Sequence, residues 1–155
     1  LIGLEEGASL LIDLFLKIKE LKIDDVTYPI NQKNIENKQY DIHVDSDLYT
    51  YQFKTLWMSL NQENFKKYMD FNKEQKKTQL KKILIGNILS FYKTFQYYTQ
   101  EQIMATTQLK EATTQFKNKN MLAFKGMFTT NAFLPDGIGL GKSVSRGFGT
   151  IKRIT

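Results

Sequence analysis

Residues 135–149 read Pro-Asp-Gly-Ile-Gly-Leu-Gly-Lys-Ser-Val-Ser-Arg-Gly-Phe-Gly, with glycines at 137, 139, 141, 147 and 149. Glycine reaches positive φ without penalty and lets the backbone come close to a ligand. Successive amides in such a segment form a concavity that binds anions. Lys142 and Arg146 place charge beside it, and the hydroxyls of Ser143 and Ser145 can donate to phosphate oxygens. Residue types and spacing thus suit a phosphate group. The alternative is a glycine-rich hairpin that only turns the chain.

Other chemistries fit less well. Gly141-Lys142-Ser143 resembles the end of a P-loop, but the required first glycine falls on Asp136, and a β-like tail follows instead of a helix. The glycine spacing is GxGxG, not the GxGxxG of dinucleotide sites. With no cysteine, thiolate metal sites and thiol catalysis are excluded. One histidine, His43, gives no multi-histidine metal site, and no cofactor is expected.

The charge is uneven. The net charge of +6 divides into −4 over residues 1–72 and +10 over residues 73–155. A basic half of this kind faces a polyanion, and nucleic acid is the leading partner. Lysine-rich composition is the plainer source of the same charge. The 155 residues are 41% hydrophobic and 25% charged, enough for a core in one domain or two small halves. No run nears the roughly 20 apolar residues that span a bilayer, so a cytoplasmic protein without membrane contact is expected. The start at Leu1-Ile2-Gly3, without Met, reads as a piece of a longer protein.

Several elements must position the loop. Leu1–Leu4 read as a strand end. Leu10, Leu11, Leu14, Phe15 and Ile18 recur at helical spacing, predicting a helix from 5 to about 20. Residues 24–37 read as a linker or short strand around Pro29. Tyr40, Ile42 and Val44 alternate as a strand, and Asp45-Ser46-Asp47 signals a turn. Tyr49, Tyr51, Phe53, Thr55 and Trp57 then alternate on one strand face, suited to a core or to stacking RNA bases. Core packing is the preferred reading.

Asn61 can cap a helix through Phe65 and Tyr68. A longer helix follows from about Lys73 to Phe95, with the stripe Leu80, Leu84, Ile88, Phe91 and Phe95. A close packing contact is expected at its Gly86. Lys73, Lys76, Lys77, Lys81 and Lys82 line either an RNA groove or a solvated face. Residues 103–117 read as an exposed edge strand, 121–134 as a strand, and 147–154 as a final strand. Strands and helices do not alternate regularly. The fold class is therefore α+β, with helices on one face of a mainly antiparallel sheet.

The segment from Gly137 to Gly149, straight before a terminal strand, resembles the C-terminal glycine-rich signature of the RAMP superfamily, which includes CRISPR-associated RNA-binding proteins. The closer resemblance is to its crRNA-processing endoribonucleases. Tyr51–Asn64, Lys82–Ser90 and Phe124–Phe128, followed by Asn131 and Pro135, support it; Leu56 before Trp57 departs from an expected proline. The resemblance implies a ferredoxin-like domain that binds CRISPR repeat RNA. It also implies metal-independent cleavage, giving 2′,3′-cyclic phosphate and 5′-hydroxyl ends. Residues 1–37 are then a remnant of an N-terminal domain, and residues 38–155 are the C-terminal RAMP domain.

RNA binding is expected at Gly139, Gly141, Lys142, Ser143, Arg146, Gly147 and Gly149, with Lys125 and Lys152 extending the patch. No catalytic residue is carried over, because the histidines of such enzymes lie in a region matching nothing here. His43 reads as a solvated strand histidine in preference to a catalytic base. A homodimer or a place in a CRISPR effector complex are the expected assemblies. The alternatives are a non-catalytic RAMP subunit that holds guide RNA, and a structural adaptor whose glycine hairpin binds protein.

Overall fold

The computed structural model describes residues 3, 5–116 and 119–154, which fall into two compact units, Leu1–Tyr40 and Asp41–Thr155. The expected strand end at Leu1–Leu4 lies largely outside the described residues.

The first unit opens with α1 (Glu6–Lys17), which has an acidic first turn and a basic last turn that complement the helix dipole. The helix ends at Lys17, three residues short of the expected end at about 20. A hairpin follows, β1 (Glu20–Ile23) paired with β2 (Val26–Pro29). Asp24 takes the left-handed φ of 52° that its tight turn requires. β2 fits the short-strand alternative for residues 24–37, whereas β1 had not been expected, because its Glu-Leu-Lys-Ile has too few residues for alternation to stand out. Residues 30–43 are irregular, so the strand expected at Tyr40 and Ile42 is absent.

In the second unit β3 (Val44–Phe53) leads through two helices to β4 (Ala105–Phe116), β5 (Lys119–Ala132) and β6 (Ile151–Arg153). The sheet order is β4-β5-β3-β6, with every neighbouring pair antiparallel. β3 and β4 are therefore parallel to each other, and the helices form the crossover between them. Order and connections are those of a ferredoxin-like fold in which the second crossover helix has given way to the glycine-rich loop.

The Asp45-Ser46-Asp47 turn does not form. Its local chemistry is present, since the Asp47 amide donates to Asp45 Oδ1 at 2.7 Å. Pairing with β5 nevertheless carries the strand through. Val44 faces Ala132 and Tyr49 faces Thr130, so the surplus residues on β3 are taken up in a bulge.

Asn61 caps α2 (Gln62–Asp70) through Oδ1 to the Asn64 amide at 2.7 Å. Asn72 and Gln75 form a reciprocal capping box at the start of α3 (Lys73–Thr94), each bond 3.0 Å. Leu80, Leu84, Ile88 and Tyr92 are its buried stripe. They meet Tyr51, Phe53, Trp57, Phe124 and Phe128 from the sheet in one core. Tyr51 stacks on Phe128 at 5.3 Å between centroids, and Phe53 on Trp57 at 5.2 Å. The core reading of these aromatics therefore holds for Tyr51, Phe53 and Trp57, and they offer no stacking platform. Gly86 makes no close contact, since a Cβ built there meets nothing within 4 Å.

Candidate nucleic-acid interface

The loop after β5 is built from its stem outward. Gly137 N–H donates to Ile151 O at 2.8 Å, Ile151 N–H to Ile138 O at 3.0 Å, and Leu140 N–H to Gly149 O at 3.0 Å. Residues 137–140 and 149–151 thus run antiparallel, with Ile138, Leu140 and Ile151 buried in the core. The tip lies on the segment that follows β3. Lys142 N–H donates to Met58 O and Gly149 N–H to Leu56 O, both at 2.9 Å.

Close packing against that segment and within the loop itself explains three of the glycines. A Cβ on Gly141 would stand 2.6 Å from Trp57 Nε1 and 2.8 Å from Met58 O, one on Gly149 would overlap Leu140 O, and one on Gly139 would overlap the Val144 side chain. The space at these positions belongs to the protein's own chain. At Gly147, with φ at 85°, an added Cβ meets nothing within 4 Å.

The tip itself is shaped for an anion. Ser143 is left-handed, with φ 58° and ψ 31°, and Val144–Arg146 make one 3-10 turn, closed by Gly147 N–H to Val144 O at 2.9 Å. The amides of Ser143, Val144 and Ser145 hydrogen-bond to no described residue. Successive N–H groups at a left-handed residue entering a right-handed turn converge on one side, which is the geometry of an anion nest. Exposed Lys142 and Arg146 and half-buried Ser143 surround it. No helix opens at Lys142 beyond this three-residue turn, so the P-loop alternative fails.

The remaining expected residues sit elsewhere on the sheet. Gln52 pairs with Lys152 on one side and Met127 on the other, and Lys125 pairs with Lys110. Residues two apart on a strand share a face. Lys110, Lys125 and Lys152 therefore share the face away from α3, and all three are exposed. The sequence reading missed Lys110, although period-two alternation along 105–116 would have placed it there. Lys76 on α3 is committed elsewhere, 3.4 Å from Glu111 and over the Tyr68 ring.

His43 keeps a partly exposed side chain but does not lie in a strand. It precedes β3, and both ring nitrogens have partners. Nδ1 lies 2.7 Å from Asp41 O, and Nε2 lies 3.1 Å from Tyr49 Oη and 3.1 Å from Asp45 Oδ2. A carbonyl only accepts, so Nδ1 donates. The Tyr49 hydroxyl donates to Asp45 Oδ2 at 2.7 Å; this bond holds the Asp45 carboxyl below its ordinary range and pushes the Tyr49 hydroxyl up. The cluster closes over the β3 bulge and stacks on Phe133, with ring centroids 5.1 Å apart.

Fold and loop together define a class, a ferredoxin-like domain of the RAMP type. Residues 43–154 match the family described as the Cas6b C-terminal domain, and the chain belongs to the Cas6b family. It is similar to a solved structure of Cas6b, with 36% identity and a TM-score of 0.90 over 96% of this chain and 69% of that one. It is also similar to a solved CRISPR RNA processing endoribonuclease Cas6b, with 32% identity and a TM-score of 0.83 over 96% of this chain and 72% of that one. An uncharacterized protein of Methanocaldococcus jannaschii is 30% identical over 143 residues, which is 92% of this chain and 97% of that one. Among the described residues no helix is long and apolar enough to cross a membrane.

Proposed function

We propose that this protein binds CRISPR repeat RNA and takes part in its endonucleolytic processing. The observation that carries the binding is the run of three unpartnered amides at Ser143–Ser145, set beside Lys142 and Arg146 in the basic half of the chain. Lys142, Ser143 and Arg146 contact phosphate around that nest. Gly139, Gly141 and Gly149 serve by holding the loop against its support, and Gly147 leaves the approach open. Lys125 and Lys152 extend the contact across the sheet.

Cleavage is metal-independent in this reading. The RNA 2′-hydroxyl attacks the adjacent phosphorus and expels the 5′-oxygen, leaving a 2′,3′-cyclic phosphate and a 5′-hydroxyl. The step needs a general base, a general acid and donors for the charge on phosphorus. The nest residues suit the last role; base and acid are unassigned in this chain. A second reading, RNA holding without cleavage as a guide-RNA subunit of an effector complex, is favoured by one observation. His43, the single histidine, has both ring nitrogens engaged within the protein.

Incubation with end-labelled repeat RNA in excess chelator decides between them. A cyclic-phosphate product supports the nuclease, and tight uncut RNA supports the holding subunit. No RNA affinity refutes both and leaves the protein-binding adaptor. Within the binding assay, Arg146→Ala is expected to weaken affinity and lower the salt slope by about 0.7 on single-stranded RNA. Lys22→Ala, in the first unit, is the control.

A further inference from the structure

The chain has 20 lysines but only two arginines, Arg146 in the loop and Arg153 in β6. Arg153 is held in an unusual way for an exposed residue. Its guanidinium carbon stands 5.6 Å from the Tyr49 ring centroid and 5.9 Å from that of Phe133, within cation–π range of both. Its backbone is fixed by pairing with Tyr51 in the ladder and by its N–H donating to Asp136 Oδ1 at 2.6 Å.

The two rings are themselves fixed. Tyr49 is tied to Asp45 through its hydroxyl and meets Phe133 edge-on at 5.6 Å and 87°. Behind Phe133, the Tyr92 hydroxyl lies 2.8 Å from the Phe133 carbonyl oxygen. Among the described residues no ion pair involves Arg153. A guanidinium oriented by two rings, exposed and without an acidic partner keeps its planar fork available. That fork matches a phosphate through parallel hydrogen bonds, as an ammonium does not.

We propose that Arg153, on its Tyr49–Phe133 shelf, grips a phosphodiester of single-stranded RNA distinct from the one at the loop tip. The inference rests on the RNA-binding reading above and extends its footprint. Arg153 lies beside Asp136 at the open end of the loop stem, whereas the nest lies at the tip beyond the Leu140–Gly149 pairing; Gly149 to Arg153 alone spans about 13 Å at roughly 3.3 Å per extended residue, so the two sites take different phosphates. Neighbouring residues of a strand point to opposite faces, so Arg153 shares the face of its partner Tyr51, and Lys152 the open one. β6 is the last strand in the sheet order, and its outer side is bonded to Gly137 and Ile138 at Ile151, so Lys152 and Arg153 stand at the edge beyond that pairing. An RNA strand crossing that edge meets Lys152 on one side and Arg153 on the other.

The test measures affinity for fluorescent single-stranded repeat RNA across a salt series, for the wild type, Arg153→Ala, Arg153→Lys and Lys142→Ala. Arg153→Ala should lose about tenfold in affinity and about 0.7 of the salt slope. Arg153→Lys should keep the slope and still lose several-fold, because charge remains but fork and stacking do not. It also serves as the reading if the alanine variant folds poorly. Wild-type affinity and slope in both Arg153 variants, with Lys142→Ala impaired, overturns this inference and spares the loop. Loss at Arg153 with none at Lys142 supports the inference and removes the loop tip from the footprint. A wild type without RNA affinity overturns the binding reading and this inference together.

Discussion

Alanine at Gly149 and alanine at Gly147 should differ sharply in cost, although both replace a left-handed glycine. Gly147 has φ 85° and Gly149 has φ 71°. Placing a side chain in that region costs about 1–2 kcal/mol at either site. At Gly147 nothing else is added, because a new Cβ meets no atom within 4 Å. At Gly149 the Cβ overlaps Leu140 O, so the stem must open. Opening it strains the Leu140 N–H to Gly149 O bond and the Gly149 N–H to Leu56 O bond, at 3.0 and 2.9 Å. Overpacking of this kind adds about 1–3 kcal/mol, and a weakened backbone hydrogen bond about 1 kcal/mol more. The expected losses are therefore about 1–2 kcal/mol for Gly147→Ala and about 3–6 kcal/mol for Gly149→Ala, by the sum of these contributions. Urea unfolding followed by far-ultraviolet circular dichroism reads both. Equal losses would refute the view that the loop glycines are set by docking onto the protein's own backbone.

Gly86→Ala should stabilise the protein by about 1 kcal/mol in the same assay, since the site is mid-helix, exposed and uncrowded. Asn72→Ala should destabilise it by about 1 kcal/mol through loss of the capping box, with Asn72→Asp retaining most of the effect. The protein should lose stability in alkali, because burial pushes the Tyr51 hydroxyl up to about 12. A raised folded-state value stabilises fully below the ordinary tyrosine value near 10, and that contribution is lost as pH rises toward 12. Unfolding midpoints from pH 8 to 12, compared with those of Tyr51→Phe, check this; parallel curves would contradict it.

Periodicity made the second unit legible where one face is buried. Leu80, Leu84 and Ile88 repeat every four residues, and all three are buried on α3. Phe124 and Phe128, four residues apart on β5, are likewise buried on one face. The failure at Asp45–Asp47 has a definite cause: an Asx bond formed locally, while pairing with β5 decided the path of the chain. Tyr40 and Ile42 alternate as strand residues do but have no strand to pair with. The loop was legible as a motif, yet its glycines have a different reason from the expected one. Contacts of Gly141 with Trp57 and of Gly149 with Leu140 are invisible until the stem folds back. The Arg153 shelf was out of reach for the same reason, because Tyr49, Phe133 and Arg153 are brought together only by the β5-β3-β6 pairing.

Trp57 is the only tryptophan of the chain, and it is fully buried. Its indole N–H donates to Asn87 Oδ1 at 3.2 Å, and the same ring edge faces the backbone of Gly141. Nature has thereby left a fluorophore directly behind the loop tip, screened from dissolved quenchers. Its emission comes from a single site and needs no label. An anion bound at Ser143–Ser145, as proposed, would shift the electric field along the indole, and iodide in solution is expected to leave the signal untouched. Occupancy of the loop would thus be read in the protein's intrinsic light, one residue away from its support at Met58.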